Sequence, residues 1–401
     1  MASIKEIEKK LAKQFEKIDD IAFFNQKKVL DAFAECKITT QCFAGTTGYG
    51  YDDQGRDKLA MLFSHVFKTE KTIVSPLITC GSHAISIVLY GLLRPNDTIL
   101  SISGELYDTL YDTLFGKENG SLENFGIKFK QIELKNNNFD KDLILKAIKK
   151  YKPKVVFVQR SRGYTSRKAL SIKQMQEIFA DIKTVKNPPF IVVDNCYGEF
   201  VEEKEPTEVG ADVIVGSLIK NPGGGLAPTG AYIAGTEKAI DMISTRFTSP
   251  SLLLEVGSYE LGYRMFYQGL FLAPHTVAQA LKGAMLVGGV MEEKGYKIIP
   301  SNDEQPDDII KSVVFNSEDE LVKFVQLVQK ISPVDSFIVP MPWDMPGYND
   351  KVIMAAGTFV SGASIELSCD SPIKKPYIAY FQGGLTYEHV KIMAEQLNKL
   401  Y

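Results

Sequence analysis

The sequence predicts an α/β protein with a mostly parallel sheet covered by helices on both faces, followed by a smaller C-terminal α+β domain. Three observations carry this. Between residue 71 and about residue 235, short apolar runs alternate with polar turns and helix-period segments, the pattern of a parallel sheet with crossover helices. From about residue 295 the rhythm changes to short strands separated by two isolated helices. The chain, at 401 residues, is long enough for one large core and one smaller one.

The elements follow in order. The stretch up to about residue 43 reads as helical, and its first part carries an apolar stripe of Ile4, Ile7, Leu11, Phe15 and Ile18 at helical spacing. A glycine- and tyrosine-rich loop, 44–51, leads into a helix at 56–67. Strands are expected at 72–79, 98–103, 128–134, 155–159, 190–194, 213–217 and 230–234, with helices at 81–93, 107–115, 140–151 and 171–183. A long helical region, 251–293, follows. The last part should hold strands at 309–315, 336–338, 352–355 and 364–367, and helices at 317–331 and 387–400. This divides the chain into an N-terminal helical segment and arm (1–55), a large domain (56–285) and a small domain (286–401).

Composition narrows the function. Hydrophobic residues make up 45% and charged residues 24% of the chain, and 46 basic residues face 49 acidic ones for a net charge of −3. No basic stripe points to nucleic acid. The start lacks the apolar stretch and cleavage site of a signal peptide. The longest apolar run, 84–93, is too short to span a bilayer, so the expectation is a cytoplasmic protein without a membrane partner. The five cysteines (Cys36, Cys42, Cys80, Cys196, Cys369) and four histidines (His65, His83, His275, His389) are scattered. None has metal-ligand spacing, and no metal site is expected.

Ligands of open α/β sheets bind at the carboxyl ends of the strands, so the residues there are the candidates. Lys220 follows an apolar strand and sits between Ile219 and Pro222 nearby. Desolvation would lower its pKa and make it a nucleophile able to hold an aldehyde as an imine. Asp194 ends the strand Phe190-Ile-Val-Val-Asp194. A buried carboxylate needs a cationic or donor partner, and a protonated pyridine nitrogen would serve, making the ring an electron sink. The turn Cys80-Gly-Ser-His-Ala84 opens a helix, where free amides can meet a phosphate; Gly81, Ser82 and His83 are its candidates, with Ser217 adding a hydroxyl. Tyr107 can lay its ring on an aromatic face. Gly223-Gly-Gly225 lacks the phosphate-loop order and reads instead as a flexible hinge beside Lys220.

Taken singly, each residue has an ordinary structural alternative: surface lysine, helix-capping aspartate, strand-to-helix turn, interfacial tyrosine. Taken in chain order, they resemble the fold-type-I, transferase-like family of pyridoxal-phosphate enzymes, within it the cystathionine/methionine lyase group. The closest resemblance is to the methionine γ-lyase-like and cystathionine β-lyase-like "aluminium resistance" branch. The motifs are Gly48-Tyr-Gly-Tyr-Asp-Asp-Gln-Gly-Arg56, Thr79-Cys-Gly-Ser-His-Ala84, Gln159-Arg-Ser-Arg-Gly-Tyr164, Val193-Asp-Asn-Cys-Tyr-Gly-Glu199, Gly216-Ser-Leu-Ile-Lys-Asn-Pro-Gly-Gly-Gly225 and Tyr380-Phe-Gln-Gly-Gly-Leu-Thr386.

The resemblance implies pyridoxal 5'-phosphate as cofactor, with Lys220 as Schiff-base lysine and proton shuttle and Asp194 on the pyridine nitrogen. It implies phosphate binding by Gly81, Ser82, His83 and Ser217, and Tyr107 stacked on the ring with a catalytic role. Tyr51 and Arg56, with Tyr49 beside them, would reach the site of a neighbouring subunit in a dimer of dimers. Arg160 and Arg162 stand where related enzymes contact the cofactor or substrate. The implied reaction is carbon–sulfur bond cleavage in a sulfur amino acid by β- or γ-elimination. Replacement or transamination is the first alternative, and a non-catalytic sensor or metal-resistance factor the second. Two departures bear on the substrate: Asp108 and Thr109 follow Tyr107 where methionine γ-lyases carry a cysteine, and Glu366 stands where an arginine usually binds the substrate carboxylate. The expectation is that Arg160, Arg162 or Lys374 binds the carboxylate, or that the substrate is an unusual one.

Overall fold

The computed structural model describes residues 2–116, 118–345 and 350–400. Helix α1 (Ile4–Glu35) opens with a capping box in which Ser3 and Glu6 satisfy each other's backbone amides, a strong start signal. Its apolar stripe packs along the long helix α8 (Arg264–Glu293). Helix α2 (Gln54–Phe67) is capped by the Asp53 carboxylate, which accepts from the Arg56 amide at 2.9 Å.

The large sheet holds seven strands: β1 (Lys71–Ser75), β2 (Thr98–Ser101), β3 (Lys128–Gln131), β4 (Val155–Gln159), β5 (Phe190–Asp194), β6 (Val213–Ser217) and β7 (Ala231–Gly235). Their spatial order is β1-β7-β6-β5-β4-β2-β3. The pairs β2–β3, β2–β4, β4–β5 and β5–β6 are parallel, and β7 runs antiparallel to both neighbours. Strands β4, β6 and β7 are buried at every position, because helices cover both faces. Those helices include α3 (Gly81–Leu92), the short α4 (Tyr111–Leu114), α5 (Lys141–Tyr151), α6 (Ile172–Lys183) and α7 (Glu237–Ser244).

The small domain carries an antiparallel sheet of order β10-β11-β12-β9-β8, from β8 (Lys297–Ile299), β9 (Ile310–Phe315), β10 (Val352–Ala355), β11 (Ser368–Pro372) and β12 (Tyr377–Gln382). Helices α9 (Glu318–Ile331) and α10 (Tyr387–Leu400) pack on it. Helix α8 is the one helix among the described residues long and apolar enough to cross a membrane, and 72% of its apolar window is buried in the protein. It packs against β8, β9 and β12 of the small sheet and against the turn at 221–223 that follows β6.

Several expected elements differ. Residues 336–338 form a turn, and the expected strand at 364–367 starts instead at Ser368. The helix expected from 251 begins at Arg264, after a run of turns. Residues 107–115 form one 3-10 turn and one α-turn. The glycine triplet is a close-packing point, not a hinge. A side chain at Gly269 in α8 would meet the Gly223 carbonyl oxygen at 2.2 Å, and one at Gly224, whose φ is +55°, would meet the Gly269 carbonyl at 2.3 Å. Only glycine allows backbone against backbone there.

Candidate active site

Strand order decides what meets at the centre of the sheet. Strands β4, β5 and β6 are adjacent and parallel, so Gln159, Asp194 and Ser217 end on one edge. The loop after β6 carries Lys220, and the loop after β1 delivers the N-terminus of α3. An inner cavity is lined by Lys220, Asp194, Cys196, Tyr197, Tyr107 and Tyr164 from the large domain, and by Asp370, Tyr380 and Gln382 from β11 and β12. Through Tyr107, Gln159, Gly163 and Tyr164 it continues into an outer cavity, which also has Glu105, Asp108, Asp350 and Lys374 on its walls.

Lys220 and Asp194 therefore share one cavity. The Lys220 ammonium lies 4.1 Å from the centre of the Tyr197 ring. Burial alone would lower its pKa, but the acidic groups around it, Asp194 among them, outweigh burial and raise it well above the usual lysine value. The sequence reading counted only desolvation; the acids are contributed by neighbouring strands and loops. Asp194 is buried, and burial raises its carboxyl pKa against the pull of Lys220 and the Cys196 amide. That amide donates to Asp194 Oδ1 at 3.1 Å, and no cation lies within ion-pair distance among the described residues.

The phosphate candidates also converge. A side chain on Gly81 would project to within 3.6 Å of Cys196 Sγ and 3.7 Å of the Ser217 side chain, so the start of α3 faces the ends of β5 and β6. Two polar atoms of His83 are already engaged. Its amide donates to Cys80 Sγ at 3.4 Å, and its ring Nδ1 accepts from the Thr79 amide at 3.2 Å. The Ser82 hydroxyl pairs with Thr109 at 3.1 Å. The available donors are thus the Gly81 and Ser82 amides with Ser217. Tyr107 has its amide fixed by Gln159 Oε1 at 2.7 Å, and its ring stands edge-on to Tyr164 at 6.5 Å.

The two arginines correct the sequence reading. Arg160 is fully buried away from both cavities; it donates to Asn195 Oδ1, the Gly198 carbonyl and Glu202, and so braces the loop after β5. Arg162 reaches the outer cavity wall, but its terminal nitrogens are spent on Asp308, Ser312 and the carbonyls of Ile299 and Ile310. It bridges the domains, so neither arginine is free for a substrate. Glu366 turns away to accept the Phe359 and Val360 amides. Tyr49 and Tyr51 are 68% and 57% exposed and stack on each other at 5.5 Å. Arg56 donates to the Gly50 carbonyl at 2.8 Å, and none of the three lines the Lys220 cavity of this chain.

Asp370, Gln382, Tyr197 and Tyr380 escaped the sequence reading as site residues. Tyr197 and the pair Tyr380 and Gln382 lie inside motifs that carried the resemblance; Asp370 lies outside them.

This sheet order, the second antiparallel domain and the lysine–aspartate cavity define the fold-type-I architecture of pyridoxal-phosphate-dependent proteins. The pyridoxal-phosphate-dependent protein YhfS of Escherichia coli shares the fold at 14% identity and a TM-score of 0.64, over 96% of this chain and 97% of that one. More narrowly, the chain belongs to the methionine gamma-lyase family, whose model matches residues 1–400. It is 46% identical to the Bacillus subtilis protein YnbB over 96% of this chain and 92% of that one. The structure of a carbon-sulfur lyase involved in aluminum resistance from Clostridium novyi NT is similar at 46% identity and a TM-score of 0.95, covering 99% of this chain and 95% of that one. The L-methionine gamma-lyase of Pseudomonas putida is 26% identical over 63% of this chain and 55% of its own length.

Proposed function

We propose that the chain is a pyridoxal-phosphate-dependent carbon–sulfur lyase acting on a sulfur-containing amino acid. The observation that carries the reading is the shared cavity of Lys220 and Asp194. The residues fit the cofactor on three counts. Asp194 is a desolvated carboxylate without a bonded cation, which a protonated ring nitrogen would satisfy. A Cβ at Gly81 would stand in contact with Cys196 and Ser217, so glycine there leaves that space to a ligand. The Gly81 and Ser82 amides at the start of α3 have no partner among the described residues, which suits a phosphate.

When bound, the cofactor supplies an electron sink for the pair left at the substrate's α-carbon. The chain supplies the rest. Lys220 would hold the cofactor's aldehyde carbon and, once released by an incoming amino group, move the α-proton. Asp194 would hold the proton on the ring nitrogen; committed there, it would no longer support a charge on Lys220, which frees that amine to act as base. Ser217 and the α3 amides would hold the phosphate, and Tyr107 would cover the ring. Tyr164 and Tyr380, 5.3 Å apart, would line the substrate's way in. Lys374, half exposed and 3.1 Å from Asp350, is the cation able to exchange that partner for a substrate carboxylate. Tyr49, Tyr51 and Arg56, remote from this cavity, would complete the site of a second copy in a homo-oligomer.

The test is direct. Purified protein should show a visible cofactor band and release a 2-oxo acid and ammonia from thio-amino acids. Lys220→Ala should remove the band's lysine linkage and lower turnover about 100- to 10,000-fold, the weight of a positioned proton-transfer group. Wild-type rates in that variant would sink the reading. Product analysis with an added thiol separates elimination from replacement, and amino-group transfer to an oxo acid marks transamination.

A further inference from the structure

The lyase reading has no use for one carboxylate in the cavity. Asp370 projects from β11 and lines the inner cavity with Lys220. Gln382 Nε2 donates to its Oδ2 at 3.2 Å, and the Tyr164 hydroxyl bonds to it as well. Both partners are neutral. Among the described residues no cation lies within ion-pair distance, and Lys220 acts on it only through space.

Each cation on the cavity walls has a partner: Arg162 pairs with Asp308 at 3.2 Å, Lys374 with Asp350 at 3.1 Å unless a substrate carboxylate displaces it, and Lys220 would hold the cofactor. Asp194 is committed to the ring nitrogen. The remaining charged groups on the cavity walls are Asp370 inside and Glu105 and Asp108 outside, none in an ion pair among the described residues. An incoming amino acid has its own amino group engaged at the cofactor. A desolvated carboxylate left unmatched is expensive, and a matching cation is strongly bound.

We propose that Asp370 sets side-chain specificity at this site, selecting amino acids that carry a second cationic group, such as a terminal ammonium, on the side chain. The proposal rests on the amino-acid-binding reading above and names the class of substrate that reading leaves open. Burial raises the Asp370 carboxyl to about 6, against Gln382, Lys220 and Tyr164. It therefore takes up its proton at a higher pH than an ordinary aspartate does. The groups facing it are Lys220 after β6, Tyr197 after β5, Tyr164 after β4, Tyr380 and Gln382 on β12, and Cys369 beside it on β11.

The experiment compares L-ornithine with L-norvaline, which differ only in the terminal ammonium, by calorimetric titration of the holoenzyme. Wild type should bind ornithine at least about tenfold more tightly, the weight of a modest desolvated charge pair. Asp370→Asn should bring the ratio close to one, Asp370→Glu should keep most of it, and lowering the pH through about 6 should erase it in wild type. Equal binding by wild type, or a preference that survives in Asp370→Asn, overturns the assignment while leaving the lyase reading intact. Binding of neither amino acid overturns the specificity assignment, and if thio-amino acids are not turned over either, the amino-acid site falls with it.

Discussion

Glu199, a buried acid near Lys220, owes its protonation state to what touches it. Glu199 sits behind Gly216 of β6, where its Oε1 accepts from the Tyr232 hydroxyl at 2.8 Å and its Oε2 has no hydrogen-bond partner among the described residues. Burial raises its pKa to about 8. In the unfolded chain it would release its proton near 4.5, so between those values the unfolded state binds fewer protons. Stability therefore falls as pH rises through that window and is highest below it. Glu199→Gln, which mimics the protonated acid, should remove this contribution. Melting temperature should decline less steeply from pH 5 to pH 8 in the variant, and the gap between the two proteins should widen with pH. Parallel curves would mean that Glu199 is already ionised in the fold. The lysine shows the complementary lesson: its pKa direction depends on acids delivered by neighbouring strands, so no inspection of Ile219 and Pro222 alone could set it.

The elements were legible where their signals are local. Capping residues mark helix starts at Ser171 and Ser317, and the apolar runs of β4, β5 and β6 fall at the expected residues. What depends on register was not legible. Asp370 reaches the cavity because β11 pairs with β12, setting Asp370 opposite Tyr380; the sequence reading had no strand at 377–382 and ended the preceding one too early. The glycine triplet failed for a similar reason, since its partner lies in α8. That contact gives a prediction with a telling sign. In an exposed helix, glycine to alanine stabilises by about 1 kcal/mol. At Gly269 the added methyl group meets the Gly223 carbonyl, so Gly269→Ala should destabilise by about 1–3 kcal/mol in chemical denaturation. It should also weaken cofactor retention, because the displaced loop carries Lys220. A stabilised variant would show that the loop yields freely.

At the scale of the whole molecule, the cavity exists only while the two sheets hold their relation. Helix α8 packs against the small sheet and against the 221–223 turn after β6, and α1 reaches both domains: Asn25 donates to the carbonyls of Phe200 and Glu202, while Tyr387 and Lys391 of α10 bond to Glu8. The most buried link is Arg162 with Asp308, each 1% exposed, with Ser161 also donating to the carboxylate at 3.2 Å. Lys168 and Glu304 add a half-exposed bridge nearby, worth little by comparison. Removing one member of a buried pair strands the other, whereas replacing both by apolar groups is often neutral. Asp308→Ala should therefore lose about 3–5 kcal/mol in denaturant unfolding. The double variant Arg162→Met with Asp308→Leu should recover most of that loss. Its substrate affinity should nonetheless stay impaired, because the outer cavity places Arg162 beside Asp350 and Lys374 from the small domain, and apolar packing does not reproduce that alignment. If the double variant recovers both stability and affinity, the bridge merely fills space. If it recovers stability alone, the charged pair holds the small domain's Asp370 and Lys374 at the distance from Lys220 that the site requires.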